Sequence, residues 1–362
     1  MVRVSKKEAL EMLKEASIYE LGKAADEIRK KIHPEGIVTF VVDRNINYTN
    51  ICINRCKFCA FWRPEGHPEA YVITKQELAK KIQETVEKGG TQILLQGGVH
   101  PKLGLDFYID MLKFIKNNFK IHVHGFSPPE ISFLSRKEGL SIKEVLEKLR
   151  QAGLDSIPGG GAEILSDRVR QLQSPNKIKT AEWLEVMRRA HLIGMKTSAT
   201  MMFGSIDTEE DIVEHLDAIR RLQDETSGFT AFIPWSFQPG NTELKKENPE
   251  LMPSGAVKYL RVLALSRIYL DNFPNIQVSW VTQGIKIAQV GLRFGANDFG
   301  STMLEENVVR AAGVCYRVSM EEIIEAIKAS GFRPAQRDTY YNILRFFNFK
   351  TFIVGGKNDR NL

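Results

Sequence analysis

Cysteine is scarce in this sequence: four occur in 362 residues, and three of them crowd into positions 52, 56 and 59. A disulfide framework needs pairs spread along the chain, so that class is excluded and a reducing compartment is indicated. No apolar run approaches the ~18 residues that a membrane-spanning helix requires. The opening stretch Met1-Val-Arg-Val-Ser-Lys-Lys-Glu8 lacks the apolar core of a secretory signal, and the expected location is the cytoplasm. Pro/Ser-rich linkers and low-complexity tracts are also missing, which leaves no obvious seam between separate domains. The net charge of +6 is small against 50 basic and 44 acidic side chains, and the basic residues are interleaved with glutamates. Neither nucleic acid nor a membrane surface is therefore an expected partner. What is present, 43% hydrophobic and 26% charged residues, is ordinary for a globular enzyme with a sizeable core.

Apolar spacing from Ser5 to about Lys31 is helical, with Ser5 and Glu8 placed as a capping box, so residues 1–36 read as an N-terminal helical cap. Ile37-Val-Thr-Phe-Val-Val42 is a continuous apolar run suited to a strand buried on both faces. From there strand and helix patterns alternate. Strands are expected at 91–95, 121–124, 154–157, 196–202, 229–233, 276–281 and 296–299. Helices are expected at 74–88, 105–117, 141–152, 181–193, 208–223, 255–272 and 284–294, with a closing helix at 320–329. Eight strands each followed by a helix predict an α/β fold, a (β/α)8 TIM-type barrel over 37–362 with a helical tail. Periodicity alone leaves a doubly wound open sheet as the alternative.

Cys52-Ile-Asn-Arg-Cys56-Lys-Phe-Cys59 follows the first strand. Three thiolates this close suit iron with sulfide, or zinc. A structural zinc site wants four protein ligands, and Cys315 stands alone and remote. Three ligands on a 4Fe-4S cube leave one iron open to a small molecule, which makes a catalytic cluster the preferred reading. An electron carrier, or three thiols sharing zinc with a histidine, is the alternative from a different class.

The C-x3-C-x2-C spacing, with Phe58 before the last cysteine, resembles the radical S-adenosylmethionine (SAM) enzymes. The resemblance continues in His124-Gly-Phe-Ser-Pro-Pro-Glu130, Gly159-Gly-Gly-Ala-Glu163, Phe232-Ile-Pro-Trp-Ser-Phe-Gln-Pro239 and Gly295-Ala-Asn-Asp-Phe-Gly-Ser-Thr302. Together these are similar to the dehypoxanthine futalosine cyclases of menaquinone biosynthesis, whose siblings are the aminofutalosine synthases and the deazaflavin (FO) synthases. The resemblance implies a 4Fe-4S cluster on Cys52, Cys56 and Cys59, SAM on the open iron, and an external electron donor such as flavodoxin or ferredoxin. It also implies a small-molecule substrate, dehypoxanthine futalosine. A 5′-deoxyadenosyl radical takes hydrogen from the ribose C4′, the carbon radical adds to the benzoate ring, and loss of one electron and one proton restores aromaticity. Ser236 stands where many relatives carry proline, and Val99 where the glycine turn is usually followed by glutamate.

In a barrel, residues just after the strands gather at one mouth. Glycines in Gln96-Gly97-Gly98 allow close backbone approach, and the resemblance assigns this turn to the methionine part of SAM. The same comparison puts Gly160 and Glu163 beside SAM, Arg168 on its carboxylate, and Phe58 and the backbone at Met202 along its pocket, although Met202 also reads as core packing. His122 and His124 share one face of a strand, where they either position substrate and move a proton or pack the interior. Trp235, Gln238 and Asn241 offer a flat face and hydrogen bonds to an oxygenated aromatic substrate, or a stiff loop that seals the barrel top. Trp280, Asn297 and Thr302 complete the expected substrate contacts. The proton acceptor is expected among His124, Asp298 and Glu306, and Glu306 reads equally as a first-turn helix acid.

Overall fold

In the computed structural model, which describes residues 3–314 and 316–347, the first barrel strand outruns the apolar segment that announces it. Ile37–Val41 (β1) is followed after one residue by Asp43–Asn47 (β2), a polar segment buried along its whole length. Alternation explains how it can be a strand. Asp43 and Asn45 face an interior cavity, while Ile46 sits in the apolar layer. Arg44 pairs with Glu84 at 2.8 Å and Glu305 at 3.5 Å. A strand with a polar inward face carries no hydrophobic signature, so the sequence reading stopped at Val42.

β2 opens a seven-stranded parallel sheet that continues through β3 (Gln92–Gln96), β4 (His122–Gly125), β5 (Ser156–Ile157), β6 (Lys196–Phe203), β7 (Phe229–Ser236) and β8 (Asn275–Ile276). β9 (Asp298–Ser301) closes the ring. It meets the chain after β8 through the Gln277–Asp298 bridge, with Val278 N–H donating to the Asp298 carbonyl at 3.0 Å, and it pairs in parallel with β1. The (β/α)8 barrel is thus the fold, and the open-sheet alternative falls.

The seventh strand is shorter than its apolar pattern suggested. Ser279 N–H leaves the ladder to donate to Tyr259 OH at 2.7 Å. The chain then coils into Trp280–Gln283, and Gly284, at φ +79°, separates that turn from Ile285–Gly291. The N-terminal cap is two helices, Lys6–Glu15 and Ile18–Ile32, each opened by its own capping box, Ser5 with Glu8 and Ser17 with Glu20. They lie outside the barrel against Ala256–Tyr269. There the Arg261 guanidinium donates to the carbonyls of Met12, Leu13 and Ala16 at the end of the first helix.

Past the helix Met320–Ala329 the chain forms strands, where a helical tail was expected. β10 (Arg333–Arg337) pairs with β1, and β11 (Ile343–Phe346) runs antiparallel to it. Residues 337–341 thereby pass under the barrel: Thr339 Oγ1 donates to Gln92 at 2.5 Å and Tyr340 OH to the Asp155 carbonyl at 3.2 Å. Val38, Phe40, Ile93, Leu95, Val123, Leu149 and Trp183 are fully buried in the layer between barrel and helices. Each such side chain contributes about 1.5–3 kcal/mol. No described helix is long and apolar enough to cross a membrane. Cys315 lies outside the described residues.

Candidate active site

The cysteine loop leaves the C-terminal end of β2 and is held by backbone bonds to its surroundings. Ile53 N–H donates to Val99 O at 3.0 Å and Lys57 N–H to Gln173 O at 2.9 Å. Sulfur itself is addressed: Val99 N–H lies 3.4 Å from Cys52 Sγ, and the N–H groups of Phe61 and Trp62 point at Cys59. Burial pushes the Cys56 thiol up to about 12, with Lys177 opposing and Glu163, Cys52 and Cys59 adding to the rise. Three thiols crowded beside a buried lysine fit a metal–sulfide cluster, whose charge would hold them as thiolates. Among the described residues no three Cys, His, Asp or Glu side chains already stand at metal-ligating separation, so the cluster would complete the geometry.

Lys177 carried no signal in the sequence and proves central. Its Nζ is 2.8 Å from Glu163 Oε1 and 5.1 Å from the centre of the Phe58 ring. Burial disfavours its charge, but Cys56 and Glu163 outweigh that and raise its pKa. Arg170, 3.7 Å from Glu163, donates to the carbonyls of Ala162 and Ile178 and so fixes the glycine-rich turn. Glu163 sits in the left-handed region at φ +42°, is 7% exposed, lines the cavity and keeps Oε2 without a hydrogen-bond partner. A buried carboxylate oxygen that takes no hydrogen bond, in a strained turn, is suited to accept from a ligand hydroxyl. Gly98 is specific because a Cβ there would run into the Ile51 backbone carbonyl, whereas one at Gly160 would displace only the Gln96 amide end.

Beneath the Gln96-Gly97-Gly98 turn lies a buried acid that sequence reasoning quoted but gave no role. Glu130 accepts from Tyr48 OH, Ser127 OH and Gly97 N–H, and burial still pushes it up to about 7. A carboxyl that is harder to ionise when folded contributes stability fully below its unfolded value of 4.5, and loses it as pH rises to about 7. Glu130→Gln is expected to flatten this decline, which runs at up to about 1.4 kcal/mol per pH unit. Urea denaturation between pH 4 and 8 reads the effect, and an unchanged slope would assign the decline to another group.

The barrel encloses a cavity of ≈ 290 Å³ whose walls include Leu94, Ile233, Val278 and Trp280, with Gln96, Gly160 and Glu163 toward the cysteine side. His124 and Trp235 line it, as do Glu306, Asp43 and Ser198. Burial lowers His124 to about 3, with His122 and Arg337 adding to the effect, so the ring is neutral. Glu306 is raised by burial but accepts the N–H groups of Val308, Val309 and Arg310 at 2.9–3.0 Å, the helix-end role weighed for it. Asp43, raised by burial against bonds from Ser301 and Gln92, is an acid on the cavity wall that the polar strand concealed.

Several expected site residues are placed elsewhere. Arg168 is half exposed and pairs with Asp211, away from the cavity, so the buried cations near Glu163 are Lys177 and Arg170. Met202 packs against Phe237 and Leu244, with Phe58 and Trp235 alongside; its backbone N–H donates to Glu163 O at 2.9 Å. Asp298 is fully buried in a bidentate pair with Arg337, and Asn297 is consumed by Arg267, Ile276 N–H and Asn275. Gln238 donates back to Ser236, and Asn241 ties its loop to the Ala311 carbonyl at 2.9 Å. Thr302 sits beside the lining residues Ser301 and Met303 but does not itself line the cavity, and its Oγ1 is unpaired. His122 belongs to the barrel floor, edge-on to Tyr340. Inward direction does not fix depth, and spacing in sequence gave only direction.

Residues 46–219 match the family described as the radical SAM superfamily, and 226–348 match the CofH/MqnC C-terminal region. A cyclic dehypoxanthine futalosine synthase of Halalkalibacterium halodurans is 46% identical over 96% of this chain and 93% of its own length. The protein of that name from Streptomyces coelicolor is 40% identical over 94% and 86%. A 5-amino-6-(D-ribitylamino)uracil--L-tyrosine 4-hydroxyphenyl transferase of Methanocaldococcus jannaschii is 44% identical over 94% and 97%. Among solved structures, the hydrogenase maturase HydG of Carboxydothermus hydrogenoformans aligns with a TM-score of 0.74 at 19% identity, covering 94% of this chain and 77% of that one. Methylornithine synthase aligns at 0.70 and 16%, covering 92% and 94%.

Proposed function

The chain belongs to the radical SAM superfamily and is a radical SAM enzyme, and on that footing we propose that it cyclises dehypoxanthine futalosine. Cys52, Cys56 and Cys59 would hold the 4Fe-4S cluster, and Gln96 to Gly98, Gly160 and Glu163 would hold SAM. When bound, these groups supply a 5′-deoxyadenosyl radical able to remove the C4′ hydrogen of the ribose. The observation that carries the reading is the barrel cavity directly adjoining Glu163, whose exposed wall is mostly apolar while Asp43, Asn45, His124 and Glu306 bring polar groups to it. A ring closure within one molecule needs this: reacting carbons held at near-attack distance, with water kept away. Trp235 and Trp280 offer flat faces to the aromatic ring. His124, neutral and on the cavity wall, is the best-placed acceptor for the proton lost when aromaticity returns.

Anaerobic incubation of reconstituted protein with SAM, reductant and dehypoxanthine futalosine, with mass analysis, tests this directly. Cyclised product with free 5′-deoxyadenosine is expected, whereas an adenosyl adduct would indicate an aminofutalosine synthase. The identity to the archaeal transferases supports a second reading, transfer of a 4-hydroxyphenyl group from tyrosine to 5-amino-6-(D-ribitylamino)uracil. Turnover of that pair in place of dehypoxanthine futalosine would replace the first.

Two substitutions refine the assignment. Glu163→Gln is expected to weaken SAM binding more than substrate binding, about tenfold against little change, since a hydrogen bond to a charged acceptor is worth ~1.5–3 kcal/mol. Equal losses in titrations of the two ligands would contradict it. His124→Ala is expected to leave SAM cleavage intact while product falls about a hundredfold. Wild-type product yield would reduce His124 to packing.

A further inference from the structure

His124 has a polar neighbour on the side away from the cavity. Its Nδ1 lies 2.6 Å from Ser156 Oγ, and the same hydroxyl lies 2.7 Å from His122 Nε2. On the cavity side Nε2 meets Ser198 Oγ at 3.3 Å, a long contact that leaves it weakly engaged. His122 stands at the opposite end of β4, half buried, beside an open cleft formed with Lys116, Asn118 and Asp155. Among the described residues its Nδ1 has no protein partner, and it is not one of the buried unsatisfied atoms, so it faces that cleft.

A hydroxyl between two imidazoles accepts from one and donates to the other. With His124 Nδ1–H donating to Ser156 Oγ, and Ser156 O–H donating to His122 Nε2, His124 Nε2 is a bare acceptor toward the cavity and His122 Nδ1–H points to the cleft. We propose that His124, Ser156 and His122 form a proton relay carrying the proton released in the reaction through the barrel floor to water. The relay rests on the cyclisation reading, which supplies that proton. The substrate C–H proton arrives at His124 Nε2. The Nδ1 proton passes to Ser156 as the Ser156 proton passes to His122 Nε2, and the His122 Nδ1 proton leaves to cleft water. Within the relay no bond between heavy atoms changes and no electron moves. The electron lost as aromaticity returns leaves separately to a one-electron acceptor, an external carrier of the flavodoxin or ferredoxin type, and exchange with water after product release restores the starting tautomers.

The surroundings favour transit over storage. Burial, His122 and Arg337 keep His124 a weak base. Burial also lowers His122, with Lys116 adding to that and Asp155 and Asp338 opposing it. A proton received at His124 is therefore handed on toward the acidic side of the floor, while ligands occupy the mouth.

The test compares reconstituted holoenzyme with Ser156→Ala, Ser156→Thr and His122→Ala, reading product and 5′-deoxyadenosine separately. In both alanine variants product formation is expected to fall about tenfold or more, while 5′-deoxyadenosine release continues and reports an intact site. Ser156→Thr, which keeps the hydroxyl, is expected to retain most of the rate. Imidazoles added to His122→Ala reach the vacated end from the cleft, and rescue is expected to follow their basicity. Wild-type rates with an unchanged solvent deuterium isotope effect in both alanine variants would overturn the relay and leave cyclisation standing. So would a loss in His122→Ala that no added base rescues, which would mark a packing role. Failure of the unmodified enzyme to cyclise the substrate would instead remove the functional reading, and the relay with it.

Discussion

Cys56→Ala is expected to bring iron and sulfide content to background and to abolish SAM cleavage, with the fold retained. Cys56 is the most enclosed of the three thiols, 5% exposed, and faces Lys177. A loop with only two sulfurs left cannot hold a cube at three corners. Because the loop is tied by backbone bonds through Ile53 and Lys57, the barrel does not depend on that side chain. Iron analysis, visible absorbance and 5′-deoxyadenosine release check the chemistry, and far-UV circular dichroism checks the fold. Cys315→Ala, remote from the motif in sequence, is the matched control and is expected to keep its cluster. A Cys56→Ala protein that is replete in iron and cleaves SAM would remove the assignment of the loop.

Asp298→Ala is expected to cost about 3–5 kcal/mol of stability, the penalty for leaving a buried charge alone. Asp298 is fully buried and accepts from Arg337 Nε at 2.6 Å and Nη2 at 2.9 Å, from Thr39 Oγ1 at 2.5 Å and from Gly300 N–H at 2.9 Å. These bonds join β1, β9 and β10, so the pair is the clasp between the closing strands and the segment beneath them. Asp298→Ala with Arg337→Met removes both charges and is expected to recover part of the loss. Urea denaturation measures both variants. An Asp298→Ala enzyme as stable as the parent, but uncoupled in turnover, would return this residue to catalysis.

The contrast between Cys56 and Asp298 explains how much of the site was legible. Motif residues are legible where they follow a strand: Cys52 to Cys59, Gln96 to Gly98 and Gly159 to Glu163 all lie at strand ends on one mouth. Position along an inward-facing strand is not written in spacing. His122 and His124 share a face, yet one reaches the floor and the other the cavity. Arg168 and Arg170 differ by two positions on one short helix, enough to send the first to Asp211 and the second to Glu163. Lys177 and Arg337 had no local signature, because what makes each matter is a partner far away in sequence.

Local regularities, set by helix and strand periods, capping boxes and a cluster of thiols, determined the alternating elements and the cysteine-bearing loop after the first strand from sequence alone. Closure of the ring was decided by tertiary structure, since β2 is polar and β9 meets its neighbours only through long-range pairing. The same holds for the identity of the cavity wall. Burial and charge depend on which side chains converge from distant strands, and that convergence sets the neutrality of His124, the elevation of Glu130 and the locking of Asp298.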